Sequence, residues 1–244
     1  MEGKVALITG GTAGIGLAVA KAFVEAGCET VISGRRDATE SAAAIGATAM
    51  IVNVTAKGDL ERAIRDIKLR YGGLDILVLN AGIANEYTIA NSTDTEYQRD
   101  FDVNVRGVLN GLRQGVKGLN RGGNIIVTSS INASISIEAS SVYAASKAAV
   151  NSLVRSAAIE FAEYDIRVNS VSPGPTKTDM ALPDSFAEKL APRKRQADAA
   201  EMVGAYLLLA SDAGCNINGA DIVVDGGLSA GFAAQVTNWV TAPD

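Results

Sequence analysis

The chain predicts a doubly wound α/β fold: a parallel sheet covered by helices on both faces. Short apolar runs alternate with longer helical stretches along the 244 residues, as in strand–crossover–strand units. The runs are apolar at successive positions, not at every second one, so both faces of each strand are buried. A glycine turn directly behind the first run fits the same architecture.

Taken in order, Val5–Ile8 is the first strand, followed by the glycine turn and a helix over Ile15–Ala26. Thr30–Ser33 and Ala49–Val52 are the second and third strands. A helix over Lys57–Tyr71 follows, with Leu60, Ile64 and Ile67 on one face and charged residues between them. Ile76–Leu79 and Asn124–Val127 are the fourth and fifth strands. A long helix covers Ser141–Ala162, and Ile166–Val171 and Ile222–Val224 close the sheet. No repeat or linker divides the chain, so a single domain over 1–244 is expected, with a short tail at 228–244. The proline-bearing stretch Pro173–Pro192 reads as a flap over a pocket.

Composition narrows the function. The chain is 48% hydrophobic and 20% charged, with a formal charge of −5 and no long basic run. Nucleic acid and anionic membranes are therefore not expected partners. There is no histidine, which excludes a Ser-His-Asp triad and a histidine-ligated zinc. Cys28 and Cys215 lack metal-type spacing, so no metal is expected and both are read as reduced thiols of a cytoplasmic protein. No apolar run is long enough to span a membrane, and no signal peptide is recognised.

Thr9-Gly10-Gly11-Thr12-Ala13-Gly14-Ile15-Gly16 follows the first strand and opens a helix. Glycine permits a tight turn and lets a phosphate reach the backbone amides, and the helix start supplies free N–H groups. This predicts a dinucleotide site. At the end of the second strand stands Ser33-Gly34-Arg35-Arg36-Asp37. Arg35 and Arg36 suit a 2′-phosphate, whereas a carboxylate at that strand end would suit a free ribose hydroxyl. NADP(H) is favoured over NAD(H), although Asp37 stands close enough to serve a hydroxyl.

Tyr143 and Lys147 are i,i+4 on one helix and share a face. An adjacent ammonium is expected to lower the tyrosine pKa, making it a proton donor to a developing alkoxide. Ser130, just past the fifth strand, is placed to hold the substrate oxygen. The set predicts hydride transfer between a nicotinamide and a small carbonyl or alcohol.

On these motifs the chain resembles the short-chain dehydrogenase/reductase family, a Rossmann-type fold. The resemblance runs from about Gly3 to Gly227 and includes Asn80-Ala81-Gly82, Asn104, Pro173-Gly174-x-x-x-Thr178 and Asp225-Gly226-Gly227. It implies Tyr143 as general acid/base, Lys147 as ribose ligand and tuner of Tyr143, Ser130 as carbonyl polariser, and Asn104 as holder of a relay water. It also implies cofactor contacts from Gly10, Thr12, Ala13, Gly14, Ile15, Gly16, Asn53, Val54, Asn80, Ala81, Gly82, Pro173, Gly174, Thr176 and Thr178. Ala13 departs from the basic residue of many NADP-preferring members, Asn53 from a common aspartate, and Leu79 from a frequent asparagine. A homotetramer or dimer is implied. The likeness extends to 3-oxoacyl-thioester and carbonyl reductases; for an acyl carrier, Arg121 and Arg193-Lys194-Arg195 are the basic candidates. A non-catalytic dinucleotide sensor is the alternative. A dehalogenase of the same fold is disfavoured by Lys147 and the intact glycine turn.

Overall fold

The computed structural model describes residues 1–180 and 189–231. Its centre is a seven-stranded sheet in the order β3-β2-β1-β4-β5-β6-β7, parallel throughout. The strands are β1 (Val5–Thr9), β2 (Glu29–Gly34), β3 (Thr48–Ile51), β4 (Ile76–Leu79), β5 (Asn124–Thr128), β6 (Arg167–Pro173) and β7 (Asp221–Val224). The doubly wound parallel fold expected from the sequence is the one observed. The order reverses between β1 and β4, which opens a crevice beyond their carboxyl ends.

Side chains alternate between two cores. Leu7, Leu77, Ile125 and Val127 face one layer. That layer is built from α3 (Asp59–Tyr71), α5 (Gly107–Gly118) and α6 (Ser141–Glu160). Ala6, Ile8, Ile32, Val78 and Ile126 face the other, where α1 (Gly14–Glu25) and α7 (Val203–Ala210) supply Val19, Phe23, Tyr206 and Leu209. Helix α2 (Thr39–Ala44) is a short crossover between β2 and β3. Helix α3 buries Leu60, Ala63, Ile64 and Ile67, the i, i+3, i+4, i+7 stripe of an amphipathic helix. It is bounded by Gly58 and Gly72, both left-handed, a conformation that glycine adopts without a Cβ penalty.

Local periodicity predicts no element between β4 and β5. The structure has α4 (Asp94–Phe101), a π-helical turn at Asp102–Arg106, and α5. Helix α5 reads poorly because it buries Gly107, Gly111, Gly115 and Gly118, residues that cost helix stability. Tertiary packing requires them: a Cβ on Gly111 would overlap Leu79, and one on Gly118 would overlap Ile64. Among the described residues no helix is long and apolar enough to cross a membrane. The middle of the expected flap, 181–188, and the tail from 232, with Phe232 and Trp239, lie outside the described residues.

Candidate active site

Because every strand is parallel, their carboxyl ends lie along one edge. That edge carries Gly10 after β1, Arg35 and Arg36 after β2, Asn53 and Val54 after β3, Asn80-Ala81-Gly82 after β4, Ser130 after β5, and Gly174 after β6. The topology thus gathers residues that are far apart in sequence.

The glycine turn fits a dinucleotide phosphate. Gly10 and Gly14 have φ of +64° and +53°. A Cβ on Gly16 would overlap the Gly10 carbonyl, and one on Gly10 would stand 2.9 Å from Ala81 Cα. Ala13 precedes α1 and makes no side-chain capping bond, so the first amides of the helix remain available to an anion. Thr178 of the β6 loop reaches over the turn, its methyl 3.0 Å from where a Gly14 Cβ would be. Thr176 Oγ1 donates to the Gly174 carbonyl at 2.9 Å and tightens the same loop.

The Asn80 amide is occupied by the protein. Its Nδ2 donates to the Gly10 carbonyl at 3.0 Å, and its Oδ1 accepts from Thr128 Oγ1 at 3.1 Å. Thr9 Oγ1 accepts from the Asn80 and Ala81 amides at 3.0 and 3.2 Å. Asn80 is therefore a strut between β1, β4 and β5. Thr9 and Thr128 complete that strut, and sequence reasoning misses both in this role. Their signal is only a hydroxyl at a strand end.

Tyr143 lies in the first turn of α6 and Lys147 one turn on, its Nζ 5.7 Å from the Tyr143 ring centroid. Lys147 is buried and donates to the Thr128 carbonyl at 2.9 Å; burial pushes its pKa down to about 8. Tyr143 departs from expectation. Burial raises its phenol pKa, the facing Ser130 hydroxyl offsets part of this, and the Asp100 carboxylate raises it further. Desolvation leads, because burial disfavours the charged phenolate. Ser130 is itself held by Asn132, whose amide donates to its Oγ at 3.2 Å.

Asn104 sits in the π-helical turn and is fully buried. Its Nδ2 donates to the Ile83 carbonyl at 2.9 Å and to Ser146 Oγ at 3.0 Å. Both donors are spent, so the relay water implied by the resemblance does not hang from them. Gly82 fits between Asn104 and Lys147: a Cβ there would be 3.3 Å from Asn104 Oδ1 and 3.5 Å from Lys147 Nζ.

Comparison with known proteins decides the family. A family model described as enoyl-(acyl carrier protein) reductase matches residues 10–229. The mitochondrial borneol dehydrogenase of Lavandula x intermedia is 36% identical over 237 residues, covering 94% of this chain and 92% of that protein. The 3alpha-hydroxysteroid dehydrogenase of Mediterraneibacter gnavus is 36% identical over 242 residues, covering 93% and 97%. A solved short-chain dehydrogenase from Burkholderia cenocepacia in complex with NADP superposes with a TM-score of 0.89 at 30% identity, covering 93% and 98%. The chain belongs to the short-chain dehydrogenase/reductase family. It is an NAD(P)-dependent oxidoreductase of carbonyls and alcohols.

Other basic candidates of this short-chain dehydrogenase/reductase are engaged elsewhere. Glu201 takes Arg195 at 2.6 and 2.7 Å and Arg193 at 3.3 Å. These partners, led by Arg195, hold the Glu201 carboxyl down at about 2. Arg121 donates to the Glu163 carbonyl at 3.4 Å. Glu201 thus engages two of the three basic residues of Arg193-Lys194-Arg195, and the cluster keeps a net positive charge. Asp37 is engaged too, accepting from the Thr39 amide and hydroxyl at 3.0 and 2.7 Å. Asn53 Oδ1 accepts from the Thr55 amide and hydroxyl at 3.1 and 2.9 Å. A groove of about 770 Å³ on α6, lined by Ile89, Ser134, Glu138, Ser141 and Ala145 among others, takes in none of Ser130, Tyr143 and Lys147.

Proposed function

We propose that this chain interconverts a ketone and a secondary alcohol using Tyr143 as the general acid/base and NADP(H) in preference to NAD(H). The observation that carries the reading is the Tyr143 phenol, facing the Ser130 hydroxyl at the sheet edge that also bears the uncapped start of α1. When bound, the nicotinamide supplies or accepts the hydride. Ser130 holds the substrate oxygen, and Tyr143 donates the proton that the forming alkoxide takes up. The raised phenol pKa extends the pH range in which Tyr143 can donate a proton. Lys147, enclosed beside the Tyr143 ring, orients the ribose and supplies charge next to the phenol.

Gly10, Thr12, Ala13, Gly14, Ile15 and Gly16 cradle the pyrophosphate in this reading. Asn53 and Val54 flank the adenine, Ala81 and Gly82 the adjoining ribose, and Pro173, Gly174, Thr176 and Thr178 the nicotinamide side. Asn80 and Asn104 support this arrangement from behind. Arg35 and Arg36 are exposed and form no ion pair among the described residues. The nearby Asp37 carboxylate is committed to Thr39. Both facts support a 2′-phosphate at the end of β2, as does the relative solved with NADP. Exposed Ile159 on α6 and Val223 on the edge strand β7 support assembly as a homodimer or homotetramer. The low cysteine content supports a cytoplasmic location.

The test is oxidation of NADPH and NADH by purified protein across a panel holding camphor, a 3-oxosteroid and a 3-oxoacyl thioester. Turnover with NADPH, lost about a thousandfold in Tyr143→Phe while NADPH still binds, is the expected result. Wild-type turnover in Tyr143→Phe rejects the assignment.

A further inference from the structure

Asp100 is a fully buried carboxylate in the last turn of α4. No cation pairs with it among the described residues. Its partners are neutral: Oδ1 accepts from Asn85 Nδ2 and Oδ2 from the Tyr87 hydroxyl, each at 2.5 Å. A buried carboxylate held only by neutral donors is costly to maintain, and it occurs here beside the reaction centre.

The partners lead directly to the catalytic helix. The Tyr87 amide donates to the Ala139 carbonyl at 2.8 Å, and Tyr87 forms an isolated parallel bridge with Ser140. Ala139 carries a φ of +62°, in the left-handed region that a side chain disfavours. Ser140 precedes α6, and its carbonyl accepts from the Ala144 amide at 2.8 Å. Tyr143 stands in that first turn. Asp100 is thus tied to the start of α6 through Tyr87, and its charge is the least of the three influences on the Tyr143 phenol.

We propose that Asp100 is a positioning residue for proton transfer at Tyr143, acting through Tyr87 and through its own buried charge. The inference rests on Tyr143 being the proton-transfer group. The negative charge opposes formation of the phenolate, so Tyr143 stays a proton donor to higher pH. Other charged or titratable groups face this pair. Lys147 on α6 lies beside the Tyr143 ring. Glu96 and Arg99 on α4 act on Tyr87 with opposite signs. None of them shares the enclosed position of Asp100 between Asn85 and Tyr87.

The experiment is an ultraviolet tyrosinate titration of the cofactor-free protein. Each chain is measured against the same chain carrying Tyr143→Phe, so the difference reports Tyr143 alone. Asp100→Asn removes the charge and preserves the shape; it is expected to lower the Tyr143 midpoint. Tyr87→Phe removes the hydroxyl that holds Asp100 while keeping the backbone bond to Ala139, and is expected to change the Tyr143 midpoint. The limb of the pH profile for oxidation of the alcohol product of whichever panel ketone is reduced moves with it. An unchanged midpoint in Asp100→Asn overturns the proposal. If Asp100→Asn does not fold, an unchanged midpoint in Tyr87→Phe overturns it instead. Intact turnover in Tyr143→Phe would defeat the proton-transfer assignment itself, whereas lost turnover there with a silent Asp100→Asn defeats only the role of Asp100.

Discussion

Asn104 and Ile83 are joined by a pair of hydrogen bonds, the Ile83 amide donating to Asn104 Oδ1 and Asn104 Nδ2 donating to the Ile83 carbonyl, both at 2.9 Å. The side-chain amide acts like a neighbouring strand, pairing with the backbone just beyond Gly82. It also ties that segment to α6 through Ser146, whose hydroxyl donates to the Tyr143 carbonyl at 2.7 Å. One side chain therefore links the ends of β4, the π-helical turn and the helix that carries Tyr143.

Asn104→Ala leaves the part-buried Ile83 amide and carbonyl without their partner. The expected loss is about 3 kcal/mol, since each buried group left unsatisfied costs of order 1–3 kcal/mol. Urea unfolding at constant slope measures it. A loss below about 0.5 kcal/mol would mean that water replaces the amide there.

Gly16→Ala drives a Cβ into the Gly10 carbonyl. The turn must open, and NADPH affinity is expected to fall at least about tenfold, or roughly 1.4 kcal/mol. Fluorescence titration with NADPH checks this. Unaltered binding would show that the turn has slack that its close packing conceals.

Arg35→Ala tests cofactor choice. NADPH binding is expected to weaken about tenfold or more, with NADH binding changed less than about twofold, because only the former carries the extra phosphate. The NADPH loss should shrink as salt is raised. Equal losses for both cofactors would remove Arg35 from the 2′-phosphate site.

Lys147 makes stability depend on pH in a particular direction. Its folded pKa, about 8, lies below the unfolded value of 10.5, so the unfolded chain binds more protons between these values. Stability from this group therefore rises with pH across that window. At lower pH the burial penalty on the ammonium is carried in full. Unfolding wild type and Lys147→Met from pH 7 to 10.5 is expected to give a stability difference that changes by up to about 3 kcal/mol in favour of wild type. A pH-independent difference would mean that the ammonium is better solvated than its burial implies.

The strands and the long helices were legible locally. Runs such as Val5–Ile8 and Ile76–Leu79 carry their burial in their composition, and α3 carries its apolar stripe in its spacing. Helix α5 was not legible, because its four buried glycines weaken a helix locally and are required by packing on Val54, Leu79, Leu77, Ile125 and Ile64. For the same reason Asp100 was invisible: nothing in Asp94–Phe101 by itself signals that its carboxylate meets Asn85 and Tyr87.

By itself the sequence determined the α/β architecture, the glycine turn behind β1, and the i,i+4 pairing of Tyr143 with Lys147. These follow from hydrophobic period, backbone sterics and helix geometry, which act over a few residues. Tertiary structure alone decided how those groups are used. It turned Asn80 into a strut, spent the Asn104 donors on Ile83 and Ser146, and raised the Tyr143 pKa where local reasoning lowers it. The physical reason is that hydrogen-bond saturation and desolvation depend on which distant segments enclose a group. The parallel sheet makes that enclosure by bringing the ends of its strands to one edge.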